Sequence, residues 1–193
     1  MSVDVWVVLC FSVFCANLYY HHFVDTHPER PRREMWAWIA LMVGWVLPLY
    51  ALGAGLGMGL RRLAARLSWF ILTLTGMPVQ LQDATLHLPR NYLDITPVCD
   101  GFYTLYFLVT LCLFMAGVFE LAAKTRILFV AAAASLALLS NGVRIAILAW
   151  VVHARGAGVL ESHLHGAIGS VTFVLSLATL TFWAWKSRGQ NFT

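Results

Sequence analysis

Residues Ile127 to Val152 read ILFVAAAASLALLSNGVRIAILAWVV. A hydrocarbon core takes about 20 apolar residues to cross, so this run is long enough. One cation stands inside it, Arg144. A charge at that depth costs about 2.5–3.5 kcal/mol on insertion scales, so one that is kept faces protein and has a task. Asn141 lies three residues earlier, on the same helical face. Two more polar residues border the neighbouring apolar runs. Cys99 precedes the run upstream and His165 the run downstream. The function turns on whether these side chains meet.

The composition agrees with a membrane setting. Of 193 residues, 60% are hydrophobic and 11% charged. A soluble domain carries about 25% charged residues, so this chain could not build an ordinary water-facing surface. The length allows a single integral membrane domain over residues 1–193. The formal charge of +4 fits loop lysines and arginines rather than nucleic-acid binding.

Six apolar spans are expected: Val3–Tyr20, Met35–Leu60, Leu63–Met77, Phe102–Phe119, Ile127–Val152 and Ala167–Trp185. The fold class is therefore all-α, a polytopic transmembrane helical bundle with a short extracytoplasmic loop or hairpin before Cys99. The first span lacks a basic flank and a small-residue cleavage site, so it reads as a retained helix rather than a signal peptide. Pro48 and the glycines Gly53, Gly55, Gly57 and Gly59 predict a kink or close helix packing in the second span. Alternation in Val79–Leu81 and Thr85–Leu88 predicts a short hairpin. Cys10, Cys15 and Cys112 lie inside spans, where a thiol behaves as a small hydrophobe. No metal-ligand spacing is present, and no cofactor is called for.

Lysine and arginine placement gives an orientation. With both termini cytoplasmic, Arg61, Arg62, Arg66, Lys124, Arg126, Lys186 and Arg188 fall inside. Arg30, Arg32, Arg33, Arg90 and Arg155 fall outside. The bias is slight, and the arginines before Met35 oppose it. This orientation puts the Pro78–Cys99 segment and the loop before His165 on the periplasmic or exterior face of a cell (inner) membrane.

A cysteine nucleophile needs a base or a positive field. Acyl transfer also needs a donor where charge gathers on the carbonyl oxygen. Cys99, His165 and Arg144 supply one of each. Gly101 follows closely, so the thiol could sit at a helix start, where the macrodipole favours a thiolate. Each residue also has a plainer reading. Cys99 could be structural, and Arg144 could bind a carbonyl or a lipid phosphate. His163 and His153 rival His165.

The ordered set of motifs resembles the exosortase/archaeosortase family of membrane cysteine transpeptidases, over Leu72 to Phe173, and the resemblance implies accessory spans in 1–66 and a catalytic core in 67–186. T-G-M-P-V (Thr75–Val79) is similar to the family's G-x-P-V. Leu88, Pro89 and Leu93 precede the C-x-G of Cys99–Gly101 at the family's spacing. N-G-V-R-I (Asn141–Ile145) resembles N-x-x-R. His165, Gly169 and Phe173 resemble H-x-x-x-G-x-x-x-F, which selects His165 over His163. The resemblance implies Cys99 as nucleophile, Arg144 as essential cation and His165 as the third catalytic member, as in the bacterial branch. Asn141, Asp100, Gly101 and Gly169 support them. Asp100 stands where the family has serine, and a carboxylate there opposes the thiolate unless it is paired. Relatives often have about eight spans.

The implied activity is cleavage of the C-terminal sorting tail of exported proteins: a motif, a transmembrane helix and a basic cluster. A membrane lipid or glycan amine, or water, would resolve the thioester. Binding residues favour loops, so Asp83, His87, Arg90 and Asp94 are the candidate readers of the motif. Tyr103 and Tyr106, one and two turns past Cys99, are candidates to line the site. Two other classes stay open. One is a non-catalytic assembly subunit with Arg144 in a structural network. The other is a small transporter with Arg144 as its anion site.

Overall fold

Backbone groups cannot pair with water inside lipid, so apolar runs of this composition close their hydrogen bonds internally as helices. The computed structural model describes residues 2–29, 32–45, 53–96, 99, 101–161 and 163–188. Their helices are α1 (Ser2–Thr26), α2 (Arg32–Gly44), α3 (Gly53–Leu74), α4 (Phe102–Val118), α5 (Ala123–Arg155) and α6 (His163–Arg188), with a 3-10 turn at Ala157–Glu161. A small sheet of β1 (Gln80–Gln82), β2 (Thr85–His87) and β3 (Tyr92–Asp94) lies between α3 and α4 in the chain. The protein is mainly helical. Among the described residues, Val7–Thr26, Ala123–Arg155 and His163–Ser187 are long and apolar enough to cross a membrane, and Phe102–Val118 is a shorter apolar helix.

The expectation of six spans needs revision at the second and third. Helix α3 runs unbroken through Leu60–Leu63, where a loop was expected. Arg61, Arg62 and Arg66 thus sit on a helix, and Arg62 Nε donates to Asp83 Oδ1 at 2.7 Å. The orientation count had assigned those two residues to opposite faces. Alanine and leucine around the arginines favour helix, and one exposed polar stripe does not stop it. The expected kink at Pro48 lies outside the described residues. A Cβ placed on Gly59 would meet nothing within 4 Å, so close packing is absent there.

The chain divides into two compact units. The first comprises Met1–Gly53, Tyr106–Ala134 and Thr179–Thr193; the second comprises Ala54–Leu105 and Ser135–Ala178. In the first, α1 and α2 are antiparallel: Ser12 donates to the Met42 carbonyl at 3.2 Å, and the Tyr20 and Trp36 rings lie 6.1 Å apart. Helix α1 runs parallel to α4. Tyr106 bonds to the Val8 carbonyl and to Ser12, a Cβ on Gly117 would collide with Tyr19, and His27 pairs with Glu120.

Helix α5 folds back on α4 through the tight connection at 119–122. Helix α6 is antiparallel to α5, with Phe129 beside Trp183 and Arg144 beside Gly169. So α1 and α6 run in the same direction. The start of α1 and the end of α6 therefore lie at opposite ends of the first unit, contrary to the expectation of two cytoplasmic termini.

In the second unit, α3, the sheet and the C-terminal part of α5 share one core. Ala64, Ala65, Leu72, Leu86, Leu93, Ile95, Ile145, Ala149 and Val152 are all buried in it. The sheet is an antiparallel meander in the order β1-β2-β3, with Leu81 opposite Leu86 and Leu86 opposite Leu93. Those leucines share one face because side chains alternate along a strand. Asp83 makes the β1–β2 turn at φ 53°, a left-handed conformation that Asp tolerates better than most residues. The expected hairpin is thus two strands of three. The third shows in the sequence as Tyr92, Leu93, Asp94, Ile95, alternately polar-edged and apolar.

Candidate active site

Three stretches of the second unit converge on one point. The chain leaves β3, turns at Thr96, whose carbonyl accepts from the Cys99 amide at 2.9 Å, and enters α4 through Gly101. Gly101 has φ +84°, and a Cβ there would come within 2.7 Å of Asn141 Nδ2. Only glycine meets both conditions. Asn141, 2% exposed, donates through Nδ2 to the Cys99 carbonyl at 3.1 Å. The asparagine of N-x-x-R therefore holds the backbone of the cysteine. Its Nδ2 is spent on that positioning.

Arg144 and His165 complete the cluster. Arg144 Nη2 lies 3.0 Å from His165 Nε2. A guanidinium has no acceptor, so it donates, and Nε2 presents its lone pair. The ring proton is then on Nδ1, which is buried and has no partner among the described residues. Cys99 Sγ is 3.7 Å from the same Nε2. Thiol and guanidinium thus compete for one lone pair.

The spacing H-x-x-x-G now has a physical reason. His165 and Gly169 lie one turn apart on one face of α6. The guanidinium lies across the bare backbone of Gly169, where a Cβ would stand 3.1 Å from Arg144 Cζ and Nε. Arg144 Nε is buried and unpaired among the described residues, as is Asn141 Oδ1. Buried polar atoms are normally paired, so these set the cluster apart.

The same cluster opens on a cavity of about 190 Å³, lined by Leu93, Asp94, Ile95, Thr96, Cys99, Ile145, Leu148, Leu160 and His165. Of the expected motif readers, Asp94 is on this wall. Asp83 is engaged with Arg62, and His87 and Arg90 are exposed without lining the cavity. Tyr103 is half-buried and packs edge-on against Phe102. Tyr106 corrects the sequence reading. It is fully buried in the first unit, stacked 5.2 Å from Trp45. It is two turns along α4, and its hydroxyl is consumed by Val8 and Ser12. Asp100 lies outside the described residues. Leu148, Leu160 and Thr96 were not anticipated. The first two look like any span residue in the sequence, and Thr96 carries only the end of the Tyr92–Ile95 alternation.

His153 and His163 stand elsewhere. His153 packs its ring against Trp150 at 6.2 Å, and His163 is exposed at the start of α6. No curated protein and no solved structure gives a significant match to the chain. The model of one protein family does match, across nearly its whole length. With three apolar helices of membrane-crossing length and the family's motifs gathered in one cluster, the chain belongs to the transmembrane exosortase family, matched over residues 2–182.

Proposed function

We propose that this sorting-related membrane protein is a cysteine transpeptidase that removes the C-terminal tail of exported proteins. The observation that carries this reading is the shared lone pair: Cys99 Sγ at 3.7 Å and Arg144 Nη2 at 3.0 Å from one nitrogen of His165. In the resting arrangement Arg144 occupies the base. A substrate carbonyl entering the cavity offers the guanidinium a better acceptor, because oxygen gains negative charge as attack proceeds. Arg144 moves to it, and Nε2 is released to take the thiol proton. Substrate arrival and thiolate formation are thereby coupled.

The thiolate sulfur bonds to the scissile carbonyl carbon, and the carbonyl electron pair moves to oxygen, held by Arg144. Collapse breaks the C–N bond, and His165 returns its proton to the departing amine. A thioester of Cys99 remains. An amine from lipid or glycan, or water, then attacks it, losing a proton to His165, and the thiol is regenerated. Asn141 keeps the Cys99 backbone in place throughout.

The orientation that fits this reading has the site on the outer face of the membrane.

The test is Cys99→Ala in the native host, following the sizes of tailed exported proteins in membrane and medium. An uncut precursor should accumulate. An unchanged protein profile would favour the assembly subunit instead. Solute flux that depends on Arg144 and ignores Cys99 would favour the transporter.

A further inference from the structure

We propose that the substrate's recognition segment binds as a fourth strand on the open edge of β3. This deepens the transpeptidase reading and rests on it.

In the ladder with β2, Ile95 donates to the Ala84 carbonyl at 3.2 Å and Leu88 to the Asn91 carbonyl at 2.8 Å. Antiparallel pairs alternate between bonded and non-bonded. In the register Thr85–Asp94, Leu86–Leu93, His87–Tyr92 the bonded positions on β3 are therefore Asn91, Leu93 and Ile95. The main-chain groups of Tyr92 and Asp94 and the Thr96 N–H point the other way. The Thr96 carbonyl is already taken by Cys99. Since β3 is last in the sheet order, those outward groups form an edge without a strand partner among the described residues.

The cavity lies along that edge. Its wall includes Leu93, Asp94, Ile95 and Thr96, four residues in succession. A cavity on one face of a sheet would be lined by alternate residues, because side chains point to opposite faces in turn. A wall of consecutive residues is the flank of the strand. Cys99, three residues beyond Thr96, and His165 line the same cavity.

An extended peptide fits this place. Its backbone would pair with Tyr92, Asp94 and Thr96, as in other strand-addition complexes. Its course would bring a carbonyl to Sγ. One of its side chains would enter the apolar space among Ile145, Leu148 and Leu160. A tail helix cannot use this edge, since its backbone groups are already paired. The recognition motif is therefore read while unfolded, outside the helix that follows it.

Asp94→Pro tests this. Proline removes an outward N–H and leaves the ladder to β2 intact. Asp94→Ala is the baseline, since it removes the side chain and keeps that N–H. The substrate probe is the precursor that accumulates in Cys99→Ala membranes. Asp94→Pro should process it about tenfold more slowly than Asp94→Ala. Alkylation of Cys99 by iodoacetamide should proceed equally in both variants. Equal processing overturns strand docking while leaving the transpeptidase reading in place. If Cys99→Ala accumulates no precursor, both fall.

If proline disturbs the fold and Cys99 labelling is lost, cross-linking decides. Tyr92→Cys is placed in the Cys99→Ala chain, and single cysteines are walked along the precursor. Disulfides at every second substrate residue support the strand. A spacing of three to four overturns it.

Discussion

The two units treat their buried polar groups differently. In the first, the Tyr106 hydroxyl donates to the Val8 carbonyl at 2.8 Å. The Trp38 indole donates to the Leu113 carbonyl at 3.1 Å, and that of Trp45 to Thr110 at 3.2 Å. In the second, the atoms left unpaired among the described residues are Arg61 Nε, Asn141 Oδ1, Arg144 Nε, His153 Nδ1 and His165 Nδ1. All such atoms fall in that unit. An unpaired buried polar group costs about 1–3 kcal/mol. The proposed substrate site lies in the unit that leaves such atoms unspent. Two of the unpaired atoms belong to the residues that flank the Cys99 sulfur.

The contrast predicts where substitution harms activity and where it harms stability. Cys99→Ala should abolish tail removal, a loss on the order of 10⁴-fold or more, since no other atom can form the acyl intermediate. It should leave thermal unfolding in detergent unchanged, because a half-buried thiol contributes little packing. Quantitative immunoblotting of precursor and product, with a melting curve on the purified protein, checks both halves.

Arg144→Lys keeps the charge but loses the planar fork. A lysine cannot sit across Gly169 and reach both His165 and a substrate oxygen. Removing an oxyanion donor of this kind lowers turnover about 10²–10³-fold, and the same processing assay should show it. A rate within threefold of the parent chain would mean that Arg144 acts only as a charge.

Gly101→Ala couples site and fold. It forces a left-handed residue against Asn141 and should destabilise the second unit by about 1–2 kcal/mol, seen as a lower melting temperature together with slow processing. Gly169→Ala is gentler. Its Cβ meets the far end of a flexible side chain, so the guanidinium shifts by a few tenths of an ångström. Processing should fall about tenfold at unchanged melting temperature.

Tyr106→Phe is the converse case. It removes the hydroxyl shared by Val8 and Ser12, at a cost of about 1 kcal/mol. Processing at saturating substrate should stay as in the parent chain. A large activity loss there would erase the distinction between the two units.

Much of the site was legible because it is built from residues that lipid does not tolerate idly. Arg144 and Asn141 stand out in an apolar run, and Gly101 and Gly169 fall at fixed offsets from Cys99 and His165. Other parts were not legible. Tyr106 and Tyr103 look equivalent by spacing, yet the helix turns the former into a core. The arginines of α3 read as a loop because a charge cluster usually ends a span, whereas here it rides one face of a continuous helix.

By itself the chain determined its environment and its chemical inventory. Hydropathy reports transfer energies, which belong to residues one at a time, and so do thiol, guanidinium and imidazole. Only the tertiary structure decided which groups share a lone pair, which way α1 runs, and that β3 has an open flank beside the sulfur. Those outcomes depend on contacts between segments far apart in the chain. A register shift of one residue in the sheet would reverse every side chain in it.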